Sequence, residues 1–126
     1  MVVLDASALL ALLWREPGAD RVWSVINDSA ISTVNFSEVI AKFAGNRSDE
    51  SEIRAMLDLP MQRVDFDEEL AYAAGLLLPL TRGAGLSLAD RACLALAAKL
   101  GVKVLTADRP WSKIADAVGV EVELIR

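Results

Sequence analysis

Two hydrophobic rhythms alternate along the chain. Short β-rich runs occur at Val2–Leu4, Ala30–Ser32, Gln62–Phe66, Lys103–Thr106 and Glu121–Ile125. Between them lie longer stretches with helical patterning: Ser7–Trp14, Ala19–Asn27, Val34–Ala44, Asp49–Leu59, Asp67–Leu78, Leu88–Leu100 and Pro110–Val118. In the stretch 88–100, for example, Leu88, Ala92, Leu96 and Leu100 recur at the spacing of one helix face. Strands that alternate with helices imply βαβ units and a mostly parallel sheet of about five strands. The breaks agree with this reading. Pro17-Gly18 separates the first two helices, Ser48 is offered as an N-cap, Pro60 and Pro79 stand where helices should stop, and Gly101 follows a helix.

At 126 residues, 54% of them hydrophobic, the chain is expected to form a single α/β domain, 1–126, with a sizeable core. No apolar stretch approaches the ~20 residues of a membrane span. The start has no basic region or room for a signal peptide, and the single Cys93 fits a reducing compartment, so a cytoplasmic protein is expected. The histidine count is zero. That excludes a Ser-His-Asp triad, histidine acid–base cleavage of RNA and the usual Cys/His zinc site. If the protein is an enzyme, carboxylates are the expected centre, with Ser, Thr, Lys, Arg or Tyr in support.

Four acids fall near the carboxyl ends of the expected strands, the edge at which open parallel sheets bind ligands. Asp5 ends the first strand. Glu38 lies in the first or second turn of the helix after the second. Asp90 opens the helix 88–100, and Asp108 follows the fourth strand. Hard divalent cations prefer oxygen ligands, and gathering carboxylates is costly unless cations neutralise them. Each acid alone also fits a capping role. Asp5 can cap the first helix, Asn35/Glu38 and Ser87/Asp90 resemble capping boxes, and Asp108 can cap the turn before Arg109-Pro110. The net charge of −5 argues against nucleic-acid binding unless the acids hold metal; two divalent ions would bring it to −1.

The segments Val3-Leu4-Asp5-Ala6-Ser7, Ser32-Thr33-Val34-Asn35-Phe36-Ser37-Glu38-Val39, Leu86-Ser87-Leu88-Ala89-Asp90-Arg91-Ala92 and Leu105-Thr106-Ala107-Asp108 occur in this order. With the tail from Trp111 to Val122, the set resembles the PIN-domain ribonucleases, specifically the VapC-type toxins of bacterial toxin–antitoxin pairs. The resemblance covers nearly the whole chain. It implies a three-layer α/β/α sandwich and a metal-dependent endoribonuclease, with Asp5, Glu38, Asp90 and Asp108 as catalytic residues and ligands of Mg2+ or Mn2+. The implied reaction is hydrolysis of an RNA phosphodiester by a metal-activated water, leaving a 5′-phosphate and a 3′-hydroxyl. Ser7 and Thr106 would support the acids. Apart from the resemblance, Arg82, Arg91 and Arg109 sit near expected strand-edge loops or helix starts, where they are read either as phosphate contacts or as solvated surface charge. The implied partners are RNA, a cognate antitoxin protein and a second copy of the chain, with no membrane. The apolar first two helices, with Trp14 and Trp23, offer surface for such contacts.

A receiver-like signalling domain would want an acid pair after the first strand, and a haloacid-dehalogenase-type phosphatase a D-x-D; Asp5-Ala6-Ser7 provides neither. The remaining alternative is a non-catalytic partner-binding module with a degenerate nuclease fold.

Overall fold

A computed structural model describes all 126 residues. Five short strands, β1 (Val2–Leu4), β2 (Ser29–Ser32), β3 (Gln62–Val64), β4 (Val104–Thr106) and β5 (Val122–Leu124), form one sheet in the order β3-β2-β1-β4-β5. Every pairing is parallel. The helices are α1 (Ala6–Leu13), α2 (Ala19–Val25), α3 (Thr33–Gly45), α4 (Glu50–Met56), α5 (Glu68–Leu76), α6 (Leu78–Thr81), α7 (Leu88–Leu100) and α8 (Ala115–Val118). No helix is long and apolar enough to cross a membrane.

The strands alternate their side chains between two cores, as the pleat requires. Val2, Leu4, Ile31 and Leu105 pack with α1–α4 residues such as Leu9, Val22, Val39, Phe43 and Ile53. Val3, Ala30 and Val104 face the other way, onto Leu70 and Ala74 of α5, the run Cys93–Ala97 of α7, and Trp111. Burial on both faces explains why β1 reads as an unbroken apolar run. The result is the three-layer α/β/α arrangement expected from the sequence.

Some boundaries differ from expectation. The second helix tightens into a 3-10 turn at Ile26–Asp28. Pro79 does not end a helix but sits in the first turn of α6, where its missing N–H has no intrahelical partner to lose. Asp49, not Ser48, caps α4, because it forms a full capping box with Glu52. The expected helix 110–118 is divided into a 3-10 turn, Arg109–Lys113, and the short α8. Gly101 ends α7 in the left-handed region, at φ 67°.

Strand order fixes where the site lies. The chain leaves β1 towards β2 on one side, whereas β4 lies on β1's other side and leads outward to β5. The carboxyl ends of β1 and β4 therefore flank a topological switch point. Register places Leu4 beside Leu105, so the next residues, Asp5 and Thr106, are neighbours at that edge.

Candidate functional site

Asp5 leaves β1 and caps α1. Its Oδ1 accepts from the Ala8 backbone N–H at 2.8 Å and the Ser7 hydroxyl at 2.7 Å. Its Oδ2 accepts from the Thr106 hydroxyl at 2.5 Å. Both hydroxyls spend their single proton on Asp5, so the 3.3 Å contact between Ser7 Oγ and Thr106 Oγ1 is not a further hydrogen bond. Each hydroxyl oxygen in turn accepts a backbone N–H from the loop after β4: Ser7 from Ala107 and Thr106 from Asp108, both at 2.9 Å. The carboxylate is thereby locked to both central strands.

Three donors normally lower a carboxyl pKa. Here burial outweighs them. Asp5 is 4% exposed. Desolvation, with a smaller contribution from the Asp90 charge, pushes its pKa from 3.8 to about 6.

Asp90 sits in the first turn of α7, in a reciprocal capping box. Ser87 Oγ accepts the Asp90 N–H at 3.2 Å, and Asp90 Oδ2 accepts the Ser87 N–H at 2.9 Å. The second Asp90 oxygen has no partner within the protein. Glu38 projects from α3, and its Oε1 accepts from Asn35 Nδ2 at 3.2 Å. Its pKa is raised by partial desolvation and then by Asp90, against the hydrogen bond from Asn35. The buried Cys93 thiol is pushed well up, first by burial and then by the charges of Asp5, Asp90 and Glu38. Cys93 is a packing residue under the acidic pocket, not a thiolate.

The charge of Asp90 thus acts on both Asp5 and Glu38, and the three acids come from three separate elements. Asp108 joins less directly. Its backbone N–H is tied to Thr106, while its side chain makes no capping bond, contrary to the role its position suggested. No three acidic side chains converge closely enough to form a ready ligand set. Donor chemistry nevertheless suits a hard divalent cation: the groups are all carboxylates, and two of them titrate upward, chiefly through desolvation and then through the Asp90 charge. Binding an ion would need side-chain rotations at the pocket.

The remaining residues divide. Arg82 and Arg109 are exposed on turns. Arg91 is half-buried, and its Nη1 donates to the Ala74 carbonyl of α5 at 3.1 Å, which makes it a clamp between α7 and α5. Asn35 does not cap α3 with Glu38, as its spacing suggests. Ser32 is the cap of α3, accepting from the Val34 N–H, and Asn35 lies inside the helix. Its amide joins Glu38 to the Ala89 carbonyl at the start of α7, 3.0 Å away. An i, i+3 pairing with an acid was the only trace of this in the sequence, and capping explained it equally well.

Comparison with known proteins agrees with this architecture. No curated protein matches the chain. Among solved structures, a chain of VapBC2 from Rickettsia felis, bound to a promoter DNA fragment, superposes with a TM-score of 0.72 at 16% identity, over 98% of each chain. A toxin–antitoxin complex from Klebsiella pneumoniae gives 0.74 at 16% identity, over 100% of this chain and 98% of that one. VapBC-5 from Mycobacterium tuberculosis gives 0.60 at 24% identity, over 99% and 97%. At these identities the likeness is one of fold. The PIN domain family model matches residues 2–117, nearly the full length and a range within which all four acids lie. The chain belongs to the PIN domain family.

Proposed function

We propose that the protein is a divalent-metal-dependent endoribonuclease and the toxin of a toxin–antitoxin pair. The observation that carries the reading is the effect of the Asp90 charge on both Asp5 and Glu38 at the switch-point edge of the sheet, with Asp5 desolvated. Groups so perturbed cluster at functional sites.

In this reading Asp5, Asp90, Glu38 and Asp108 hold Mg2+ or Mn2+. The bound ion supplies Lewis acidity, lowering the pKa of a water and offsetting charge on the phosphate. The chain's own residues do the rest. Ser7 and Thr106 fix both Asp5 oxygens and keep them from rotating out of the pocket. Asp90 is held at the α7 amino terminus by its capping box with Ser87. Exposed Arg82 and Arg109 are free to meet backbone phosphates, whereas Arg91, engaged with Ala74, serves the scaffold first. The reaction joins a water oxygen to phosphorus and breaks the P–O3′ bond. It leaves a 5′-phosphate and a 3′-hydroxyl.

The structurally similar proteins from Klebsiella pneumoniae and Mycobacterium tuberculosis are a toxin–antitoxin complex and a member of the VapBC family of toxin–antitoxin systems, which supports a cognate antitoxin as partner here. Exposed Trp14 and Trp23 on the first two helices, and Tyr72 and Leu76 on α5, provide apolar surface for an antitoxin segment and for a second copy of the chain.

The open geometry of the four acids is also what a non-catalytic partner-binding module would show. One experiment separates the two. Total RNA is incubated with the protein in Mg2+, in Mn2+ and in excess EDTA, and the cut ends are mapped. Cleavage that needs metal and disappears in Asp5→Asn and Asp90→Asn is expected. Cutting that survives EDTA, or variants that cut as well as the parent, would overturn the nuclease assignment.

A further inference from the structure

Asn35 is 1% exposed and lies three residues before Glu38 on α3. Its amide nitrogen has two protons, and both are committed. One goes to Glu38 Oε1 at 3.2 Å and the other to the Ala89 carbonyl at 3.0 Å. Ala89 is the residue before Asp90 in the first turn of α7. A single nitrogen therefore spans the two helices that carry two of the acids. Its orientation is fixed, because the reverse placement would set an amide oxygen against two acceptors.

The opposite end of the amide has no such employment. Asn35 Oδ1 is buried without a hydrogen-bond partner. An apolar residue of similar shape would remove that unpaired acceptor while giving up the bonds to Ala89 and Glu38, effects of comparable size. Stability alone does not explain an amide here. What an apolar side chain cannot do is hold a carboxylate and a neighbouring helix by the same atom.

We propose that Asn35 is a positioning residue: its Nδ2 fixes Glu38 relative to the α7 turn bearing Asp90, at the separation from which the two acids take up a divalent cation. The inference rests on the metal-dependent reading above. It makes Asn35 an outer partner that orients a ligand, a role whose removal commonly weakens metal affinity about ten- to a hundredfold.

The test is Mn2+ binding, followed by electron paramagnetic resonance of the free ion, alongside thermal unfolding of the metal-free protein. Asn35→Leu should weaken Mn2+ binding by about tenfold or more, with a melting temperature equal to or above that of the parent. In a Glu38→Gln background the same substitution should have no further effect on Mn2+ affinity, since the carboxylate it orients is gone. If Asn35→Leu does not fold, Asn35→Ala goes through the same titration and cycle. An Asn35 variant that binds Mn2+ within twofold of the parent, or effects that add fully in the double variant, would overturn the assignment while leaving the metal reading intact. A parent protein that takes up no Mn2+ would remove both.

Discussion

The heaviest single electrostatic burden in the fold falls on Asp5, and neutralising it should stabilise the metal-free protein. The perturbation is Asp5→Asn, close to isosteric. Burial raises the Asp5 pKa from 3.8 to about 6, so the folded state holds its proton more tightly than the unfolded chain. The sign follows from linkage. Below pH 3.8 the group is protonated in both states and carries no penalty. As pH rises from about 4 to about 6 the unfolded chain releases the proton first, and folding stability falls. Above that window the loss is complete. At ~1.36 kcal/mol per pKa unit it amounts to about 3 kcal/mol.

An amide keeps the bonds from Ser7 and Ala8 on its oxygen, but its NH2 faces the Thr106 hydroxyl, which must turn to accept. Allowing about 1 kcal/mol for that rearrangement leaves a net gain of about 2 kcal/mol. For a chain of this length that is roughly 8 °C in melting temperature. The assay is thermal unfolding of parent and variant in EDTA at pH 4 and pH 8. The variant should melt higher at pH 8, and the gap should shrink towards zero or reverse at pH 4. Saturating Mn2+ should then narrow the gap at pH 8, because it stabilises the folded parent by mass action and the variant far less. A variant that melts below its parent at pH 8, or a gap that does not change between the two pH values, would refute the account of Asp5 as a desolvated anion.

Two further outcomes follow from the scaffold. Gly18 holds φ at 98° where the chain turns into α2, and a Cβ there would stand 2.7 Å from Ile125 Cγ1 and 2.8 Å from the Ile125 carbonyl oxygen. Gly18→Ala should cost about 2–3 kcal/mol, read by urea unfolding. Glu123 on β5 is bonded by Arg21 and Lys103, the arginine in a bidentate pair at 2.6 and 3.0 Å, and its pKa is lowered to about 2, chiefly by the Arg21 hydrogen bonds. That contribution is present above the ordinary carboxylate range and fades as pH falls towards 2. Because solvent screens the group, Glu123→Gln should cost no more than about 1 kcal/mol at pH 7, and less at pH 3.

How much was legible depends on how local the cause is. Alternating β-rich and helical runs are local, and all five strands were placed to within two residues at each end. The Ser87/Asp90 box and the cap at Asp5 were also legible, since both are bonds across three residues. What failed was choice among equally local candidates. Ser48 and Asp49 are adjacent polar residues, and only the reciprocal bond to Glu52 decides between them. Asn35 has the right spacing to cap with Glu38, but the extended backbone falls at Ser32, so the helix begins three residues earlier. Its bond to Ala89 spans 54 positions and has no local signature.

The acids were locatable because the sheet edge forces the assignment: a residue that follows β1 or β4 must emerge beside the other strand. How far their side chains converge was not locatable, because it depends on rotamers balanced between mutual repulsion and local bonds. Asp5 and Asp90 illustrate that balance. Each is committed to a helix start, Asp5 through the Ala8 N–H and Asp90 through its box with Ser87. These bonds hold the two carboxylates near positive helix ends and partly offset their proximity. The same bonds leave Asp5 Oδ2 and one Asp90 oxygen out of the caps, although Oδ2 also accepts the Thr106 hydroxyl. Capping and metal holding therefore do not compete for the same lone pairs. One oxygen of each acid secures its helix; the other lies outside the cap, with Asp5 Oδ2 keeping a lone pair beyond the one that meets Thr106, which is how residues that look like ordinary helix starts in the sequence can also furnish a site.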